Sequence, residues 1–525
     1  MCSCSLLTAQ ELPPINTYTS IEYGAESQNW SISQSENNYI YVANNKGLLE
    51  FNGENWRLYP TPNETIMRSV KVFKDKIYTG FYMNFGYWET NDFGALVYIS
   101  INQKEKIPLL EDESFWNIIE LDGWMLFQSH QRIYLYNLAT KKYKIISSDS
   151  KIVKMMKVND TIYFQKQGVG IFKIENGKAT LVSKHRIFIE NDLIAIFESH
   201  KKLLVLTLDK GFFLIDNSRV IPWNVPANKK IRDKGISIYH SIQLKNKDFV
   251  LGTISNGLVY ITKEGFLKHH ITQKNGLSDN TVLSVFEDNS NTIWLALDNG
   301  INNINISSEF RTYLNTTGTL GTIYTSIRKG NYLYLGTNQG LFYKKVSSNS
   351  DFTFVENTQG QVWNLTNIDN EILCGHNLGT FSIQKGKATK IIDVQGTWDI
   401  KPIGNGLYLQ GNYDGLNIIQ KVNNRWSLRN KLAGFNISSR FFELLNPTTI
   451  FVNHEYKGVF KLHTDANLQS VQKVERVASI SKGLHSSLIS YHDNILYASK
   501  KGIFSFDTAK NKFIKDTVLS KILGK

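Results

Sequence analysis

Cysteine is close to absent: Cys2, Cys4 and Cys374 are the 3 in a chain of 525 residues, too few for a disulfide framework. Cys374 falls in an apolar run that reads as a strand, where a small buried side chain is expected. Proline is scarce as well, 9 against 36 glycines, a balance that suits many tight turns rather than long extended linkers. No run of about 18 or more apolar residues occurs, so no segment reads as a membrane-spanning helix. The signatures of common chemistry are missing too. There is no G-x-S-x-G, H-E-x-x-H or G-x-x-x-x-G-K-[ST], and the one close histidine pair, His269 and His270, is adjacent on a strand and so points to opposite faces. No catalytic residue, metal ligand or cofactor is assigned, and an enzyme is not expected. Carboxylates that converge only in three dimensions lie beyond sequence reading.

What is present points to strands. Hydrophobic residues make up 42%, and 25 Tyr, 29 Phe and 10 Trp favour pleated over helical packing. The formal net charge of +13 would suit nucleic acid if it were clustered. The lysines are instead scattered at turns, and runs such as Asn228-Lys229-Lys230-Ile231-Arg232 are short, so direct nucleic-acid binding is not expected. The acidic run Glu111-Asp112-Glu113 reads as a solvated inter-blade loop.

The clearest repeating unit is Asn275 to Ile306. Val282 to Phe286 form an apolar strand, Asp288 to Asn291 a polar turn, and Ile293 to Leu295 the start of a second strand. Asp298-Asn299-Gly300 make another turn, and Ile301 to Ile306 return as a third strand. A sheet this small cannot bury both faces alone, so it must be one unit of an array. Looser copies start at Trp30, Arg68, Trp116, Val153, Ile194 and Ser237, and then at Thr325, Trp363, Trp398, Arg440 and Ser487. Their spacing of roughly 35 to 48 residues is that of four-stranded propeller blades.

The fold class is therefore all-β, with about twelve blades. Since single rings usually hold four to eight, two consecutive β-propellers are expected. Residues 12–316 form the first, of about seven blades, with Phe310 to Leu314 as the outer strand of the last. Asn16 to Ser20 pairs into that blade and closes the circle. Residues 317–525 form the second, with about five blades, either a smaller ring or one that continues in a longer protein. Residues 1–11 read as the remnant of a signal peptide, short in its apolar core and without a basic start, so the mature chain is expected to begin near Glu11 or Leu12 and to be exported to the periplasm or cell envelope.

The Asn275 to Ile306 unit resembles the two-component-regulator propeller repeat through Gly276, Leu277, Ser278, Asn280, Val282, Asp288, Ile293, Trp294 and Gly300. It departs at Asn291, Ala296 and Leu297, but Leu335 to Gly340 restore the usual form in the next unit. The segment Tyr59 to Ile101 is similar to the second blade of LuxR-like envelope sensor-regulators, in Pro62-Asn63, Arg68-Ser69, Gly80, Phe85-Gly86-Tyr87 and Gly94 to Tyr98. Glu22 to Gln34 resembles their first blade. The resemblance implies sensing in signal transduction, with triple-tyrosine, membrane and helix-turn-helix regions downstream in the full-length protein.

One recurrence marks a candidate site. Blade-opening positions carry Trp30, Arg68 and Trp116 in the first ring and Trp363, Trp398 and Arg440 in the second, near a channel mouth where rings stack on sugars and guanidinium groups clamp anions. The alternative is that these side chains plug the channel or pack between blades. Tyr413 and Asp414, in the turn Asn412 to Gly415, join the candidates. The expected function is recognition of an oligosaccharide or similar polar ligand by the sensor region of a regulator. A polysaccharide lyase or hydrolase and a protein-interaction platform are the alternatives, and a homodimer is a further partner to consider.

Overall fold

The computed structural model describes residues 12–199, 201–216, 219–313, 318–346, 350–384, 386–492 and 494–522. The expected leader at residues 1–11, with Cys2 and Cys4, lies outside the described residues, as does Leu314. The rest contains twelve four-stranded antiparallel sheets. The chain divides into two compact units, Glu11–Thr316 and a second formed chiefly by Thr317–Lys525.

The first unit holds seven of the sheets. Six are simple meanders, the first being Asn29–Gln34, Ile40–Asn44, Gly47–Phe51 and Trp56–Pro60. The seventh takes three strands from the organising stretch, Val282–Glu287, Ile293–Leu297 and Ile301–Ile304, and its fourth from the N-terminal strand Ile15–Tyr18. Ile15 pairs with Ile304 and Tyr18 with Ile301, and Asn302 Nδ2 donates to Thr17 Oγ1 at 2.7 Å. The innermost strand of each sheet packs on that of the next, and Asn29–Gln34 against Val282–Glu287 completes the circle. Closure removes the open edges that would otherwise invite another chain.

Three sequence expectations need correction. Phe310 to Leu314 is not the outer strand, because Ile15–Tyr18 occupies that edge and Phe310 is 82% exposed. The basic run is not a turn but part of the helix Pro226–Asp233, started by a proline at its first turn and anchored by the buried Ala227, Asn228 and Ile231. Asn228 satisfies the Phe212 main chain in both directions, its Oδ1 accepting at 2.7 Å and its Nδ2 donating at 3.0 Å. Nor is the acidic run wholly solvated. Glu113 is buried and accepts from Ser129 Oγ at 2.5 Å, Tyr134 OH at 2.7 Å and Leu110 N at 3.0 Å. A short polar string hides which of its members turns inward.

The repeat unit's internal logic is visible in blade seven. Asp288 Oδ1 accepts from the amides of Ser290 and Thr292, both at 2.8 Å, while its Oδ2 accepts from Trp294 Nε1 at 2.9 Å. One carboxylate thus tightens the turn and locks the buried indole. The departure at Asn291 is accommodated because Asn, like Gly, tolerates the left-handed region, here at φ 62°.

The second unit holds five meander sheets, opening with Ile323–Lys329 and ending with Lys512–Lys515. Cys374 is buried on Glu371–His376. At Gly411 an added Cβ would stand 2.1 Å from the Ser439 carbonyl oxygen, so the bare backbone is what lets the next blade's segment approach.

Candidate functional site

The candidate residues owe their position to a recurring irregularity. Near its start the innermost strand of most blades carries a β-bulge, which inserts one residue without a pairing partner and re-aims its side chain. Register shifts fall between Asn29 and Ser31, Met67 and Ser69, Ile238 and His240, Ile323 and Thr325, and Val362 and Asn364. The residues so released are Trp30, Arg68, Tyr239, Tyr324 and Trp363. Trp116 and Trp398 stand at the equivalent place just before their strands, their amides donating to Gln128 and Gly411 carbonyls at 2.8 Å.

In the first unit three candidates meet. Arg68 lies between two indoles, its Cζ 4.0 Å from the Trp30 ring and 4.6 Å from that of Trp116, and the indoles contact each other edge-on at 5.9 Å. His130 stacks on the outer side of Trp116 at 5.1 Å, and Trp30 Nε1 donates to Asn45 Oδ1 at 2.7 Å. Arg68 Nη1 is buried with no hydrogen-bond partner among the described residues. Burial lowers the guanidinium's pKa, and the nearby Tyr239 works against that shift. The sandwich fills its own space, as the packing alternative requires.

In the second unit the candidates form an open aromatic cluster. Trp363 and Trp398 lie 4.8 Å apart, Tyr324 stacks on Trp363 at 4.9 Å, and Tyr413 meets Trp398 at 5.2 Å. Trp363 Nε1 donates to Tyr413 OH at 2.9 Å and Trp398 Nε1 to Ser438 Oγ at 3.1 Å, so the indole N–H groups are satisfied and both indoles are half-buried. Tyr324 and Tyr413 are 42% and 39% exposed. Tyr413 lies over Gly396, where a Cβ would sit 2.1 Å from the ring and where φ is +70°, so both the close approach and the backbone require glycine. The Arg440 guanidinium lies 5.3 Å from the Trp398 ring and is exposed. Asp414 stands apart, paired with Lys431 at 2.7 Å. An exposed set of rings edged by a guanidinium can stack on the flat apolar faces of a sugar and bind its carboxylate or sulfate.

The carboxylate beside Trp398, Asp399, has its pKa raised by burial, with Lys401 opposing the shift; Glu371 lies at the other end of its hairpin from Trp363. Lys401 bridges Glu443 at 2.6 Å and Asp399 at 3.7 Å. Burial works to raise the pKa of Glu371, but hydrogen bonds from Ser382, Trp426, Gln384 and Lys421 outweigh it and hold the carboxylate at about 2. Such a group is a poor proton donor or acceptor at neutral pH. Among the described residues no cluster of three or more His, Cys, Asp or Glu could hold a metal ion.

Sequence reading missed Tyr324, Tyr239 and His130. The first two share the bulge position with Trp30, Tyr324 one residue before the Thr325 repeat start and Tyr239 two after the Ser237 start; His130 gave no signal.

Four-stranded sheets repeated around an axis and closed by a strand from the other end of the unit define a β-propeller, and this chain carries consecutive propeller units. No family model and no curated protein sequence matches the chain. Among solved structures, it is similar to the extracellular domain of a hybrid two-component system, BT3049, from B. thetaiotaomicron, with a TM-score of 0.67, 14% identity, and coverage of 96% of this chain and 73% of that one. Also similar are the extracellular domain of a one-component system, BT4673, from the same organism, at TM-score 0.45, 14% identity and coverage of 96% and 74%, and virginiamycin B lyase from Staphylococcus aureus, at 0.45, 13%, and 57% and 100%. The first of these likenesses supports the propeller fold.

Proposed function

We propose that this chain is the ligand-sensing region of a signal-transduction or transcriptional regulator, that it works outside the cytoplasm, and that it recognises an oligosaccharide or similar polar ligand without transforming it. The observation that carries the reading is the cluster of Tyr324, Trp363, Trp398 and Tyr413 with Arg440 at its edge. Such exposed rings contribute little to a core, and they suit a ligand with flat apolar faces and polar edges. The description of the BT3049 and BT4673 chains as extracellular domains of regulators supports the same reading.

Thermal-shift screening of the purified chain against neutral and acidic oligosaccharides tests it, since a ligand that binds only the native state raises the melting temperature. The double variant Trp363→Ala/Trp398→Ala is expected to unfold cooperatively and to bind the stabilising sugar at least about tenfold more weakly, the scale of one or two lost stacking contacts. Cleavage of a polymer by the wild-type chain would overturn the reading in favour of a lyase or hydrolase. Collapse of the double variant would show that the indoles are core.

A further inference from the structure

Inside the first unit, a cavity of about 950 Å³ is lined by the innermost strands of four consecutive blades, from Asn117 and Ile119 through Lys154–Val158 and Ile194–Ser199 to His240–Gln243. Its cations are not equivalent. Lys157 donates to the Glu120 carbonyl at 3.0 Å and lies 3.9 Å from its carboxylate. Lys263 faces Glu264 at 3.9 Å, and Glu198 accepts from Asn159 at 2.8 Å.

Lys201 and Lys247 line the cavity from exposed positions, whereas Lys154 is drawn inward. It belongs to a bulge between Ile152 and Met155, where Val153 and Lys154 interrupt the pairing, and the side chain enters the cavity. It is half-buried at the cavity wall, and no hydrogen bond or ion pair reaches it among the described residues. Burial pushes its pKa down to about 8, so at neutral pH the ammonium still carries its proton. An enclosed charge without a counter-ion is costly, and a chain that keeps one at a cavity wall has a reason to.

His240 lines the same cavity. Its Nδ1 accepts from the Val285 amide at 3.3 Å, and burial together with the Lys154 charge drives its pKa well down. The ring is therefore neutral with its proton on Nε2, which leaves an N–H donor. Lys71, half-buried and without an ion pair within 4 Å among the described residues, adds positive potential from the next inner strand but one, where Glu120 and Lys157 are its charged neighbours.

We propose that this cavity is an oxyanion-binding site, in which the Lys154 ammonium and His240 Nε2–H hold the carboxylate, sulfate or phosphate of a small ligand. The site is separate from the aromatic cluster and does not depend on it. An ammonium and an imidazole N–H converging on one oxyanion make charge-assisted hydrogen bonds that water in the cavity does not match.

Isothermal titration calorimetry of the whole chain at pH 7, with sodium sulfate, sodium phosphate and sodium acetate in turn at ionic strength held constant with sodium chloride, tests the proposal and separates the sources of the anion. Saturable one-to-one binding of at least one is expected, weakened more than fivefold by Lys154→Met and by the second variant Lys154→Gln. Lys210→Gln, at a lysine outside the cavity that pairs with Asp209, is expected to leave that binding unchanged; none of these anions offers a flat apolar face, so failure here and failure of the sugar-binding cluster are read independently. No saturable binding to the folded wild-type chain, or binding within fivefold of wild type in both Lys154 variants, would overturn the proposal.

Discussion

The two propeller units place the same kind of residue at the same irregularity and obtain different results. In the first, Trp30, Arg68 and Trp116 pack into a sandwich that leaves a guanidinium nitrogen buried and unpaired. In the second, Trp363 and Trp398 place their N–H groups on Tyr413 and Ser438, and the rings of Tyr324 and Tyr413 remain exposed. Where an arginine sits between indoles, cation and rings consume each other's binding capacity. Where aromatic follows aromatic, each ring supports its neighbour at an angle and the surface remains free. The bulge directs Trp30, Arg68, Tyr324 and Trp363, Trp116 and Trp398 stand just before their strands, and the residue types on neighbouring blades decide between plug and platform.

The sharpest way to break the comparison is to remove one tryptophan from each unit. Trp294 is buried in the closing blade, with its N–H on Asp288 and Tyr18 stacked on its ring at 5.8 Å. Trp294→Ala is expected to cost about 3–5 kcal/mol by leaving a cavity and an unpaired carboxylate. Trp398→Ala, on the open cluster, is expected to cost about 1 kcal/mol or less. Urea denaturation midpoints measure both, and equal losses would mean that the second cluster is core as well.

A smaller effect separates the interiors by pH. Lys154 has its folded-state pKa pushed down to about 8 from 10.5, so between those values the unfolded chain binds the proton that the folded chain has released. Stability therefore rises with pH across that window. The wild type is expected to gain about 2 kcal/mol relative to Lys154→Met between pH 8 and 10.5, less than the full shift implies because the ammonium retains some access to cavity water. His240, held neutral by burial and by the Lys154 charge, lies well below this window, so its coupling to Lys154 does not enter the difference. A flat difference across the window would show that Lys154 is solvated like a surface lysine.

Much of the fold was legible because blade periodicity survives variation. The spacing of Trp30, Arg68, Trp116 and their successors, and the Asp288 to Trp294 signature, place every sheet, and Asn16 to Ser20 was recognisable as the closing strand by the need to remove an edge. The outer strand of blade seven was misplaced because Phe310 to Leu314 is as apolar as a strand, and only the competition of Ile15–Tyr18 for the same edge excludes it. The helix Pro226–Asp233 was hidden by its lysines, whose spacing looks like a turn until Ala227, Asn228 and Ile231 are seen buried on one face. The aromatic candidates showed in sequence as large residues at strand starts. Lys154 did not, because nothing local distinguishes a lysine in a bulge from the many at turns.

The smallest expected difference tests whether buried charge in the second unit is settled where that of the first is not. Unlike Lys154, Glu371 is fully partnered, by Lys421 at 3.1 Å, Trp426 Nε1 at 3.0 Å, Gln384 at 3.1 Å and the Ser382 hydroxyl. With its folded-state pKa held at about 2 against an ordinary 4.5, the carboxylate contributes stability that is present above pH 4.5 and lost as pH falls towards 2. Glu371→Gln keeps the shape but loses the charge, and is expected to unfold about 1–2 kcal/mol more easily at pH 7 and to match the wild type near pH 2. The comparison with Lys154 then runs in opposite directions: removing the satisfied carboxylate weakens the fold at neutral pH, whereas removing the unsatisfied ammonium strengthens it. If both substitutions shift the denaturation midpoint the same way, the first unit's cavity charge is as well compensated as that of the second, and the contrast between the two interiors fails.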